Sequence, residues 1–99
     1  IVELKFTTEQ TPPLDVGDFR SKVEDKADNT MGLFLSMAGF TDAAIQQASG
    51  RKTPVLLLDF NHVYAVLGAV MDLRSVIDRV RRHASQTGES YLAVARFGG

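Results

Sequence analysis

The sequence predicts an α/β domain with three mainly parallel strands joined by helical crossovers and a possible edge strand at the C-terminus. Three observations predict it. Ile1-Val2-Glu3-Leu4-Lys5-Phe6 alternates, with Val2, Leu4 and Phe6 on one face and Glu3 and Lys5 on the other. Gly32 to Ala38 and Val55 to Leu58 are apolar on both faces, the pattern of buried parallel strands. The segments between them have helical spacing and enough length for crossovers, which implies parallel pairing and right-handed connections.

In this layout the first strand is expected to be interior, with helices on both faces. An interior strand that carries Glu3 and Lys5 is a misfit, because buried charge is costly unless it is paired or metal-bound. That misfit is the best functional pointer in the chain.

The other elements follow in order. Thr7 to Pro13 is a polar loop closed by prolines, and Asp15 fits a helix N-cap. The helix is expected from Val16 to Ala27, with Val16, Phe19, Val23 and Ala27 on its apolar stripe. Asp28-Asn29-Thr30 ends it and the second strand begins at Gly32. Gly39 makes a turn, Thr41 caps a short helix through Ser49, and Gly50 stops it. Arg51-Lys52-Thr53 leads into a strand from Pro54 to Asp59. Asn61 is expected to cap a helix over His62 to Leu67, with Gly68 to Met71 as a short apolar link. Asp72 caps a last helix through Thr87, with Leu73, Val76, Ile77, Val80 and Ala84 as its apolar stripe, and Gly88 stops it. Tyr91 to Ala95 reads as an edge strand or as a start into a neighbouring segment.

Composition bounds the function. A chain of 99 residues, 44% hydrophobic and 23% charged, is one small domain of ordinary globular make-up. The absence of cysteine excludes disulfides and cysteine-based zinc sites, and it fits a reducing compartment. No apolar run approaches a membrane span, and the first residues do not read as a signal peptide. The chain opens without Met in what reads as mid-strand, so a piece of a longer protein is expected. Net charge is −1, which gives no global nucleic-acid signature. Residues 1–50 carry eight acids and four bases, whereas residues 51–99 carry four acids and seven bases. The basic half is a candidate backbone-binding face or a solvated helix surface.

Glu-x-Lys on a strand is a weak signal alone. Here it is followed by a proline-containing loop, by Asp15-Val16-x-x-Phe19-x-x-Lys22, by Gly32-Leu33-Phe34-Leu35-Ser36-Met37-Ala38-Gly39-Phe40-Thr41-x-Ala43-Ala44, and by Val55-Leu56-Leu57-Leu58-Asp59. Together these resemble the C-terminal two-thirds of a restriction-endonuclease-like domain of the PD-(D/E)XK superfamily, nearest its Mrr-like branch. The resemblance covers residues 1 to 70 or so, and Gly32 to Ala44 is its most specific part.

The resemblance implies a Mg²⁺- or Mn²⁺-dependent DNA endonuclease domain of bacterial restriction or defence type, in the cytoplasm. Glu3 and Lys5 match the family's catalytic acid and lysine, and Glu3 with the backbone carbonyl of Leu4 would ligate the metal. A hard cation suits carboxylate and carbonyl oxygens, polarises a phosphodiester and activates water. The lysine orients that water or stabilises charge on phosphorus. The family's first metal-binding Asp lies on the strand before Glu-x-Lys; this chain begins at Glu-x-Lys and does not contain it, and Asp15 and Asp18 come too late to replace it by analogy. The isolated 99 residues are therefore expected to lack activity, and to form a homodimer or associate with the missing N-terminal part. The alternative is a PD-(D/E)XK-like module without catalysis that binds DNA or assembles proteins. An unrelated α/β domain with a small-molecule site at its strand ends is a third reading, and no phosphate-type glycine loop supports it.

Each candidate also has a plain structural reading. Glu3 and Lys5 fit an exposed edge-strand pair. Ser36, Gly39, Phe40 and Thr41 read first as a strand-to-helix turn, although Ser36 is also a candidate to face a cleft. Lys22 and Arg20 are candidate phosphate contacts or part of a solvated helix face. Asp59, Asn61 and His62 explain themselves as a strand end and a cap better than as a metal cluster. Arg79, Arg81 and Arg82, with His83, are candidate DNA-backbone contacts or the polar face and dipole partner of their helix.

Overall fold

The three apolar runs pair in parallel in the order β1-β2-β3, which places Gly32–Ser36 (β2) between Val2–Lys5 (β1) and Val55–Asp59 (β3). The computed structural model describes residues 2–5, 8–25, 31–50, 55–68 and 71–97, with only the backbone of Lys5. Two helices join the strands, Pro13–Glu24 (α1) and Asp42–Ala48 (α2); Phe60–Leu67 (α3), Leu73–Thr87 (α4) and a 3₁₀ turn at Val94–Arg96 follow β3. The expected fold class holds at the level of a three-stranded parallel α/β sheet with helical crossovers. The expectations on Phe6, Ala27, Asp28-Asn29-Thr30, Arg51 to Pro54 and Ala69-Val70 fall outside the described residues.

Two apolar clusters sandwich the sheet. On one face Val16, Phe19 and Val23 of α1 and Ala44 and Ala48 of α2 bury Phe34, Val55 and Leu57. On the other, Val76 and Val80 of α4 and Phe97 bury Leu56 and Leu58. This explains why β3 reads apolar on both faces: all four of its first residues are buried.

Four expectations need correction. First, β1 is an edge of the described sheet and β2 is its centre. Each crossover steps the chain the same way, so the first strand ends outermost, and Val2 and Leu4 are 62% and 49% exposed. Second, 91–93 is not a strand. The Leu92 carbonyl meets the His62 ring, and among the described residues the backbone bond from β3 to this segment is the Leu57 N–H donating to the Ser90 carbonyl at 3.0 Å, one residue before it. Third, α1 starts at Pro13 with Pro12 at its N-cap, and Asp15 lies in the first turn. Proline suits that position because its missing N–H would have no helical partner. Fourth, Asp59 rather than Asn61 caps α3, accepting from the N–H groups of Asn61 and His62. The caps at Thr41 and Asp72 and the left-handed Gly88 after α4 (φ +83°) are as expected. Among the described residues no helix is long and apolar enough to cross a membrane.

Candidate functional site

The parallel register sets Lys5, Ser36 and Asp59 side by side at the C-terminal ends of the three strands. In open α/β sheets this is the edge where ligands bind. The question is which side chains there are free to do chemistry.

Glu3 precedes Lys5 on β1, opposite Phe34 of β2. Its carboxylate meets the Lys22 ammonium of α1 at 3.6 Å, with the side chains 33% and 65% exposed. Two of the sequence-predicted residues are therefore brought together. Arg20 of α1 is anchored: it bonds the Gln47 carbonyl at 2.6 Å and pairs with Glu24 at 3.1 Å. Arg20 thus ties α1 to α2 and to itself.

Ser36 does not face a cleft. It is fully buried, accepts from the Thr11 hydroxyl at 2.8 Å and donates to the Gly39 carbonyl at 2.8 Å. The Thr11 N–H donates to the same carbonyl at 2.9 Å, and the Thr41 N–H returns a bond to the Thr11 carbonyl at 3.2 Å. The segment after β1 is thereby clamped onto the Gly39-Phe40-Thr41 turn. Ser36→Ala should cost about 1–2 kcal/mol, since it strands the buried Thr11 hydroxyl. Urea unfolding checks this, and a silent substitution would mean the clamp contributes nothing.

Asp59, His62 and Tyr91 form a second constellation. His62 is buried, with Nε2 donating to the Leu92 carbonyl at 2.8 Å. Its Nδ1 lies 2.9 Å from Asp59 Oδ1 and 3.0 Å from the Asp59 N–H. The Tyr91 hydroxyl donates to Asp59 Oδ2 at 2.5 Å. Both imidazole nitrogens are thus occupied by protein atoms, and among the described residues no group of three or more potential ligands could hold a metal ion. The arrangement is a latch that fastens the chain after α4 to the end of β3.

Burial alone would raise the Asp59 carboxyl. The hydrogen bonds from His62 and Tyr91 and the His62 charge outweigh it and hold the group at about 2. Burial first, then the Asp59 carboxylate, pushes the Tyr91 phenol well above its usual range. The folded-state value of Asp59 lies below its ordinary 3.8, so the stabilisation is complete above about pH 4 and is lost as pH falls toward 2. Its size is about 2 kcal/mol. Urea unfolding at pH 5, 4, 3 and 2 should show this acid loss in the natural chain and not in Asp59→Asn. Tyr91→Phe should move the Asp59 carboxyl NMR midpoint upward; an unmoved midpoint would remove Tyr91 from the latch.

The basic residues of α4 separate. Arg81 pairs with Asp78 at 3.2 Å on the exposed side. Arg79 sits 5.5 Å from the Phe97 ring centroid and, with Arg82, lines a hollow against the segment after α4. Since α4 covers the sheet face opposite α1, Arg79 and Arg82 are not part of the Glu3–Lys22 neighbourhood.

The chain matches no family model, no curated protein and no solved structure.

The latch and the hollow were not identified from sequence. The hollow had a signal: 79, 82, 83 and 86 follow the i, i+3, i+4, i+7 spacing of one helix face, and 81 falls outside it. In the latch, Asp59 and His62 are three residues apart and were marked together, whereas Tyr91 had no signal, being 32 residues from Asp59.

Proposed function

We propose that this chain is part of a Mg²⁺-dependent DNA endonuclease domain of the PD-(D/E)XK type, Mrr-like branch, which hydrolyses phosphodiester bonds in bacterial restriction or defence. The observation that carries this reading is the state of Glu3. It is a partly exposed carboxylate on the edge strand of a parallel α/β sheet, two residues before Lys5, and its described partner is an exposed lysine at 3.6 Å. An ion pair of that kind contributes about 0–1 kcal/mol, so a divalent cation can displace it.

The donor chemistry fits Mg²⁺ or Mn²⁺. Glu3 and the Leu4 carbonyl are hard oxygen donors, and ions of this type are held by one or two carboxylates together with substrate phosphate. The cation, when bound, supplies polarisation of the phosphodiester and activation of water. Lys5 orients the attacking water or stabilises charge on phosphorus. Lys22, exposed and released from Glu3, then offers its charge to a DNA phosphate. One carboxylate holds a cation weakly, so these 99 residues alone are expected to cut poorly. The same reading expects the open edge at Val2 and Leu4 to be covered by a second copy or by further chain.

A specific observation favours the rival, a DNA-binding or assembly module without catalysis: Glu3 is already charge-compensated by Lys22. Plasmid cleavage in Mg²⁺ or Mn²⁺, by the protein that carries these residues, separates the two. Cleavage should fall about 10²-fold or more in Lys5→Ala and in Glu3→Gln. Undiminished cleavage in Lys5→Ala ends the catalytic reading. DNA binding without cleavage in any divalent cation selects the module.

A further inference from the structure

We infer that the C-terminal half of α4 and the segment following it form a pocket for a phosphate group. The pocket lies on the sheet face that α4 covers, away from Glu3, and the inference does not depend on the nuclease reading. Arg79, Arg82, His83, Gln86, Leu92 and Arg96 line a hollow of about 260 Å³. A water occupies about 30 Å³ of liquid, so there is room for a phosphate group and part of what it is esterified to.

Three guanidinium groups share this hollow and no carboxylate lines it. The described ion pairs of the chain involve Arg20, Lys22, His62 and Arg81, not Arg79, Arg82 or Arg96. Like charges around one hollow repel, and an anion among them removes that cost. Guanidinium forks match phosphate oxygens in pairs, which a point charge does not. Arg79 is held at its position by the Phe97 ring. The His83 Nε2 atom is buried with no hydrogen-bond partner, and a buried polar atom without a partner is costly. Arg81, one residue round the helix, is neutralised by Asp78 and stays outside.

The same oxygens are offered by free phosphate or a phosphomonoester and by a nucleic-acid phosphodiester. The test is an NMR titration of the 99-residue chain at constant ionic strength, with three probes: inorganic phosphate, thymidine 5′-monophosphate and the dinucleotide TpT. Saturable shifts of the Arg79, Arg82 and Arg96 side-chain N–H signals and of the His83 ring are expected. Affinity should drop about tenfold or more in Arg82→Ala and in Arg96→Ala, both exposed positions whose loss leaves the core intact. Arg74→Ala removes the same charge from an exposed position of α4 outside the pocket and should change nothing. Tighter binding of TpT supports a nucleic-acid backbone as the ligand; tighter binding of the monoester or of phosphate supports a free phosphate compound. Shifts that never saturate, or an equal loss in Arg74→Ala, overturn the pocket in favour of general surface charge. No shift with any probe overturns it outright.

Discussion

Gly32→Ala is expected to lower the unfolding free energy by about 2 kcal/mol, with a fall of about 10 °C in Tm. A methyl group there would sit 2.6 Å from Val23 Cγ2 and 2.8 Å from Phe19 Cε2. Neither neighbour has room to retreat, since both are 1% exposed. Phe19 stands edge-on to Phe34 at 5.2 Å between centroids, and Phe34 stands edge-on to Phe40 at 5.5 Å. A shift of Phe19 is therefore passed along three rings into the turn that carries Thr41. Removing a glycine from a strand returns only about 0.5–1 kcal/mol, too little to offset the overlap. Thermal unfolding followed by circular dichroism checks this, and an unchanged Tm would mean that α1 does not press on the start of β2.

Asp59→Ala is expected to cost about 3 kcal/mol or more. One carboxylate caps α3, faces the buried His62 ring and accepts the Tyr91 hydroxyl. Truncation removes the cap and leaves the partly buried Tyr91 hydroxyl without its acceptor, beside a His62 ring that loses its carboxylate neighbour. Asp59→Asn keeps the shape and some capping, so it should lose less. The amides around Leu92 should exchange faster in Asp59→Ala, because His62 then no longer holds the Leu92 carbonyl firmly. Equal losses in the two variants would show that charge and acceptor geometry do not matter at this position.

Much of the fold was legible because it is written in local patterns. The doubly apolar runs at Gly32 and Val55, the caps at Thr41 and Asp72 and the glycine stops all depend on neighbours a few residues away. The position of β1 was not. Its strand character is local, but whether it is central or outermost depends on the direction of each crossover, which no short pattern records. Tyr91 to Ala95 has strand-like composition, yet the long-range bonds of His62 and Ser90 take its backbone out of the ladder. At the candidate site, the sequence marked Glu3 and Lys22 separately and offered no reason to pair them. It marked Ser36 as a candidate and did not reveal that Thr11 occupies its hydroxyl.

The central claim is that Glu3 gives up Lys22 for a divalent cation. Paramagnetic broadening by Mn²⁺, read from amide NMR signals, tests it directly and detects even weak occupancy of a site with one carboxylate. The account predicts broadening centred on the Glu3 and Leu4 amides at low Mn²⁺, abolished in Glu3→Gln and strengthened in Lys22→Ala, where the competing ammonium is gone. Broadening that spares β1, or that persists in Glu3→Gln, would contradict it and leave Glu3 as one half of a surface ion pair.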